Sequence, residues 1–287
     1  MTDTPALGPV ALCTLIAQDG QALVEAYCSA LHQQAEQAHS LDEGTAWALG
    51  RPQLAGNPAW LLSNARGRQW LHIVEYTEAR PRKALHTLGW MAMEVLVENA
   101  DELADQLALS AFELLRPPAD LDVSDRIRAF QARGPAGEIL YLTQVKGPVP
   151  PFDLPTCRAP VDHLFIPVLS TPSRDASLQD YSAISGNQGL TFDTRITVVN
   201  QAREQDLEQR HPVATLQLAG QSLIEMDEIA GSEDTGNGIT AGMACVTFHC
   251  SGPPGEEARL LASGPFAGHP VSACTGTAGE RFALIHP

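Results

Sequence analysis

The chain repeats itself, and an internal repeat limits a fold more than any single motif does. Gly8-Pro-Val-Ala-Leu-Cys-Thr-Leu-Ile resembles Ala159-Pro-Val-Asp-His-Leu-Phe-Ile-Pro. Each apolar run leads into a helical stretch with a tyrosine in a similar place, Tyr27 and Tyr181. Gly89-Trp-Met-Ala-Met-Glu resembles Ala241-Gly-Met-Ala-Cys-Val, at an offset of about 152 residues. Gly134-Pro-Ala-Gly-Glu-Ile-Leu-Tyr-Leu resembles Gly276-Thr-Ala-Gly-Glu-Arg-Phe-Ala-Leu. Each match alone is short; their common order makes the duplication.

Each half divides again into two modules of strand, helix and further strands. The first runs from Val10 to about Tyr76, with a helix expected at 21–37. The second starts at Trp90 and carries a helix at 99–107, where Asn-Ala-Asp-Glu suits an N-cap and an acidic first turn. The third runs from Val161 to about Ile229 and includes a β-branched strand at 194–199. The fourth starts near Ile239, with a short helix expected at 254–262. Between the halves, residues 146–156 hold four prolines, which cannot donate backbone hydrogen bonds and make a stiff linker. The domains expected are therefore 1–147, a proline-rich linker 148–158, and 159–287.

Composition narrows the partners. With 44% hydrophobic residues the chain can bury a substantial core. Its net charge of −16 repels phosphate backbones and anionic lipid heads, so neither nucleic acid nor a membrane surface is expected as partner. No apolar run is long enough to span a bilayer. Residues 1–5 lack the basic and apolar regions of a signal peptide, and cytoplasm is the expected compartment. None of the six cysteines forms a CxxC pair, and they read as small buried hydrophobes. The Gly-Asn-Gly at 236–238 is a turn signal, not a phosphate loop, and no dinucleotide fingerprint is present. No nucleotide cofactor is expected.

Four strand–helix–strand modules closing on a Gly-x-apolar-apolar hairpin resemble the vicinal oxygen chelate superfamily. Glyoxalase I, bleomycin-resistance proteins and extradiol dioxygenases belong to it. Val161-Asp-His-Leu-Phe-Ile-Pro-Val is similar to its opening strand, and Pro135-Ala-Gly-Glu-Ile-Leu-Tyr-Leu to its closing hairpin. The resemblance implies an α+β fold, a tandem duplication of paired βαβββ modules forming two cup-like mixed sheets. It further implies a divalent metal (iron, manganese, zinc or nickel) held by His or Gln from first strands and Glu from last strands. Strand alternation supports the geometry, because every second side chain points into the cup.

The family's first-strand positions fall on Leu12, Trp90, His163 and Gly242, and its last-strand positions on His72, Tyr141, Glu225 and Ala283. The N-terminal cup is therefore expected to hold no metal. His163 and Glu225 are the metal ligands or acid/base pair expected in the C-terminal cup, two where a catalytic site normally uses three. The alternative for His163 is a core histidine held by Asp162 or a carbonyl, and for Glu225 a solvent-facing strand residue. His72, Trp90 and Tyr141 are expected to line a ligand pocket. The resemblance points to a glyoxalase-like enzyme acting on a small oxygenated or aromatic metabolite. Lyase or isomerase chemistry fits it better than ring cleavage, since an extradiol site would need His near 242 and Glu near 283. The alternative is a metal-free binding protein like those of bleomycin resistance. Either reading has a small molecule as partner and leaves room for a homo-oligomer.

Overall fold

Long apolar strands open each module, and each ends up in the middle of a sheet. A computed structural model describes residues 6–121, 124–236 and 238–287. Residues 1–5 and Asn237, in the turn expected at 236–238, lie outside them.

The first module runs β1 (Leu7–Ala17), α1 (Gly20–Ala30), β2 (Gln34–Ala35), β3 (His39–Ser40), α2 (Glu43–Ala48), β4 (Pro58–Ser63) and β5 (Gln69–Glu75). The second runs β6 (Gly89–Val97), α3 (Ala100–Leu107), β7 (Glu113–Leu121), β8 (Ser124–Arg133) and β9 (Ile139–Val145). The third runs β10 (Val161–Thr171), α4 (Arg174–Ser185), β11 (Leu190–Arg195), α5 (Thr197–Ala202), β12 (Arg210–Gln217) and β13 (Leu223–Glu228). The fourth has β14 (Gly242–Cys250), β15 (Arg259–Leu260), β16 (Pro270–Thr275) and β17 (Arg281–Ile285). Asp19, Asn99 and Ser173 each cap a helix by accepting from a backbone N–H three residues on, which satisfies one of its orphan donors.

Three sequence expectations fail locally. The helix expected at 21–37 ends at Ala30, and β2 occupies Gln34–Ala35. The β-branched stretch at 194–199 splits, β11 ending at Arg195 and α5 beginning at Thr197. Burial overrides propensity here: Ile196, Val198 and Val199 pack against Val168, Val213 and Tyr141. The helix expected at 254–262 does not form, and only β15 lies there. Pro253, Pro254 and Gly255 at its start are exposed and give a helix neither donors nor a buried face.

The pairing of modules also differs from the expected one. The first sheet has the order β15-β16-β17-β14-β1-β5-β4-β2, so it joins the first and fourth modules. The second has the order β11-β12-β13-β10-β6-β9-β8-β7 and joins the second and third. Residues 1–147 and 159–287 therefore do not each close a cup of their own; each contributes one module to each sheet. In every module the first strand pairs in parallel with the last. First strands then meet antiparallel at the two seams, β1 with β14 and β6 with β10. This arrangement leaves no apolar first strand at an edge.

One face of both sheets carries α1, α3 and α4 and shares a single large core that includes Trp70, Trp90, Phe130 and Phe248. On the opposite, cup face the first sheet is filled by Leu12, Ile16, Leu49 and Phe266 among others. The second sheet's cup face carries two separate apolar clusters. One centres on Val168 and Ile139, the other on Phe165, Ile166 and Leu96, with Phe152 and Leu154 of the linker packed against it. No described helix is long and apolar enough to cross a membrane.

Candidate functional site in the second cup

Polar side chains occupy the second cup between its two apolar clusters. Glu94 sits on β6 between Ala92 and Leu96, both on the cup face, and alternation puts its side chain there too. Register then lines up its neighbours across the sheet. Glu94 lies opposite Tyr141 on β9 and opposite Ile166 on β10. Glu225 on β13 lies opposite Val168 on one side and Thr215 on the other. Asp227 follows two residues on, facing the same way.

These groups are poorly provided with partners. Thr143 donates to Glu94 Oε1 at 2.8 Å. The Tyr141 hydroxyl, the Thr215 hydroxyl and both Asp227 carboxyl oxygens have no hydrogen-bond partner, although all are buried. Glu94 and Glu225 keep partial solvent contact, whereas Asp227 has none. Burial, and then the Glu225 carboxylate, pushes Glu94 well above the usual carboxylate range. Burial raises Glu225 as well. Asp227 is raised by burial and then by the Glu225 charge, although no hydrogen bond of regular geometry reaches its oxygens. The Tyr141 phenol is raised by burial and by the three carboxyl groups around it. No described lysine, arginine or histidine forms an ion pair with any of the three acids. In such a cluster burial favours the neutral form of each acid, and ionising one disfavours ionising the next.

The first cup presents the same strand positions with different chemistry. Thr14 lies opposite His72, and Thr247 opposite Ala283. His72 thus stands where Glu225 does in the other sheet, Thr247 where Glu94 does, and Ala283 where Tyr141 does. Both ring nitrogens of His72 and the hydroxyls of Thr14 and Thr247 are buried without partners. The His72 ring lies parallel to that of His39, with centroids 5.9 Å apart. Burial, followed by the His39 ring, lowers His72 to about 3. The imidazole is therefore neutral, in a cup packed mainly with apolar side chains.

His163, expected as metal ligand or catalytic partner of Glu225, is not brought beside it. Glu225 pairs with Val168, five positions along β10 from His163, a separation of roughly 16 Å at the usual strand rise. His163 instead holds the chain together: its Nδ1 meets Asp162 Oδ1 at 2.8 Å and its Nε2 meets Arg68 Nη1 at 2.8 Å. Arg68 can only donate, so the ring proton sits on Nδ1. Asp162 also accepts from Asn64 Nδ2 at 2.6 Å and from the Arg158 backbone N–H at 2.9 Å. The group fastens the β4–β5 turn to the start of β10.

Trp90 is displaced for a related reason. The register of β10 on β6 slips between Val168–Ala92 and Leu169–Trp90, leaving Met91 as an extra residue. One residue reverses the face. Trp90 consequently joins the helix-side core and donates from Nε1 to the Arg281 carbonyl at 2.7 Å. Glu94, beyond the bulge, takes the cup position instead. Its signal in the sequence was a lone carboxylate inside the apolar run 90–97. Asp227 carried no such mark, because Glu228 beside it suggested a solvated strand end.

The metal implied by the family resemblance does not fit these donors. Among the described residues no three of His, Cys, Asp and Glu are arranged to hold an ion.

No protein-family model matches the sequence, and no curated protein matches it. Solved structures do match the fold. Glyoxalase I from Zea mays superposes with a TM-score of 0.65 at 10% identity, covering 96% of this chain and 92% of that one. A protein from Bacillus subtilis subsp. subtilis, provisionally named a dioxygenase, gives a TM-score of 0.62 at 9% identity, covering 99% of this chain and 86% of that one. The chain thus has, over almost its whole length, the fold of glyoxalase I.

Proposed function

We propose that the second cup is the active site of an enzyme that moves a proton on a small, uncharged, oxygenated metabolite, in a reaction of the isomerase or lyase type. One observation carries the reading: Glu94, Tyr141, Glu225 and Asp227 meet on one cup face with no cation paired to them among the described residues. A carboxylate with its pKa raised toward neutrality is strong enough to take a proton from carbon and can still be ionised at working pH. Glu225, with partial solvent contact, is assigned as base, and Glu94 as the group that returns the proton. Asp227 faces Glu225, and its burial favours the protonated form. The unpartnered Tyr141 hydroxyl supplies a donor for a substrate oxygen that gains charge. Three acids repel an anionic substrate, and Ile139, Ile166 and Val168 around them suit an apolar or aromatic body.

The test is solvent-exchange NMR in D2O with neutral α-hydroxyketones and aryl ketones. Deuterium incorporation or product is expected with the wild type. Glu225→Gln should lower the rate by about 10²-fold or more, the usual share of a general base. Turnover that survives the Glu94→Gln/Glu225→Gln double substitution would remove the second cup as the active site. Stoichiometric binding in that cup without turnover would make the chain a binding protein.

A further inference from the structure

A cavity lies away from the second cup, between the rim of the first cup and the neighbouring sheet. Its volume is about 230 Å³, and Arg51, Arg82 and Arg281 line it together with Ile16, Trp90 and Met243. The space is on the order of eight water molecules, enough for a small organic ion.

Its charge is unusual for this protein. Acidic residues outnumber Lys and Arg by 34 to 18, yet three guanidinium groups converge here. Arg82 is fully engaged: it donates to the Thr87 hydroxyl at 2.8 Å and to the carbonyls of Leu88 at 2.7 Å and Met243 at 3.2 Å. Arg281 projects from the cup face of β17, beside Ala283 and Ile285, and donates to the Thr275 hydroxyl. The Arg281 side chain lies against the backbone of Gly50. A Cβ placed on Gly50 would come within 3.1 Å of its Cδ, and Gly50 has φ +65°. Arg51, the next residue, thereby stands beside Arg281, and its guanidinium has no hydrogen-bond or ion-pair partner among the described residues. Burial, and then the charge of Arg281, lowers the Arg51 pKa.

Two carboxylates also reach the cavity wall, and both are turned to other partners. Asp234 accepts from the Gly236 N–H at 2.9 Å. Glu280 accepts from the Tyr181 hydroxyl at 2.9 Å and from the Ala278 N–H at 2.9 Å. Neither forms an ion pair with the arginines. Two adjacent, partly buried like charges without a counter-ion are unfavourable until an anion joins them. Guanidinium forks match the oxygens of a carboxylate or a phosphate in particular.

We propose that this cavity is a binding site for a small organic oxyanion, held between Arg51 and Arg281, with Arg82 adding fixed positive charge. The site is separate from the acidic cup, which repels anions, and is built to hold one. Trp90 and Met243 give the ligand's uncharged part an apolar wall.

Isothermal titration and thermal melts of the full chain with sodium phosphate and with sodium malonate test it, with sodium chloride at matched ionic strength as reference. Saturable binding of phosphate or malonate is expected, with a rise in melting temperature that chloride does not give. The stronger of the two responses identifies the headgroup as phosphate-like or carboxylate-like. Arg51→Gln and Arg281→Gln should each weaken binding at least tenfold, while Arg51→Gln without ligand should melt no lower than wild type because a like-charge contact is relieved. General salt stabilisation would act equally on wild type and on the Arg51→Gln/Arg281→Gln double variant. An equal response, or none beyond chloride, overturns the proposal. Exchange activity in the second cup is a separate readout, so either site can fail alone.

Discussion

The Tyr27 hydroxyl donates to Glu138 Oε1 at 3.0 Å across 111 residues of sequence, and the duplication repeats the bond as Tyr181 to Glu280 at 2.9 Å. Each links a helix on one sheet to a closing hairpin in the other. The second carboxyl oxygen accepts from the hairpin itself, from Ala136 N–H or Ala278 N–H, both at 2.9 Å. Gly134 and Gly276 leave the space that each carboxyl group fills. The recurring tyrosine and the recurring Gly-x-Ala-Gly-Glu are thus two ends of one contact, made twice.

Removing either hydroxyl leaves a buried carboxyl group short of a donor. Tyr27→Phe and Tyr181→Phe should each cost about 1–3 kcal/mol. At this chain length that is on the order of 2–4 °C in Tm per kcal/mol. The two sites share no partner, so the double variant should show the summed loss. Gly134→Ala should cost more, because its Cβ would fall on the Glu138 carboxyl group. Thermal melts of the four variants measure all of this.

Glu138 also gives stability a pH dependence. Burial raises it to about 7, against about 4.3 for an unfolded glutamate. Between those values the folded chain binds more protons than the unfolded one, so stability contributed by this group falls as pH rises. Glu138→Gln keeps an acceptor for Tyr27 and cannot ionise. Denaturant melts at pH 5 and pH 8 should therefore show a smaller loss on going to pH 8 in the variant than in the wild type. An unchanged difference would mean Glu138 titrates normally.

His72 works in the opposite direction. Its pKa is depressed to about 3, so between there and about 6.5 the unfolded chain binds the extra proton. Stability from this group is present at neutral pH and is lost as pH falls through that window. The cost at pH 5 is about 2 kcal/mol, an order-of-magnitude figure from 1.36 kcal/mol per pH unit. His72→Leu should flatten the acid limb of the stability curve, whatever it does at pH 8. Urea melts at pH 5 and pH 8 provide the comparison.

The group around Asp162 should behave as structure. Asp162→Ala strands three donors, from Asn64, His163 and Arg158, and should cost about 2–4 kcal/mol. His163→Ala should lower Tm and leave proton exchange in the second cup within about twofold of wild type. A large loss of exchange with the fold intact, by circular dichroism, would bring His163 back into the chemistry.

The duplication, the four modules and the last-strand positions were readable because each left a local mark: a strand run, a helix tyrosine, a glycine hairpin. His72, Tyr141 and Glu225 each lie on the last strand of a module, opposite a first-strand residue. The first-strand positions were not readable, because extra residues near Met91 and in the opening of β10 change which side chains face the cup. A bulge has no reliable composition, and one residue exchanges Trp90 for Glu94. Module partners were hidden for another reason. The seam β1–β14 joins residues more than 200 apart, and apolar first strands of all four modules are alike enough that sequence order suggested the wrong neighbours.

The interleaved sheets describe a two-subunit assembly written into one chain. Each half lends one module to each sheet, as two exchanged protomers would about a twofold axis. The proline-rich segment between the halves turns their meeting from a second-order encounter into an intramolecular one, at an effective concentration on the order of millimolar. Stability no longer depends on how much protein is present, and the two copies are released from being identical. One cup could then keep a histidine among apolar side chains while the other gathered acids.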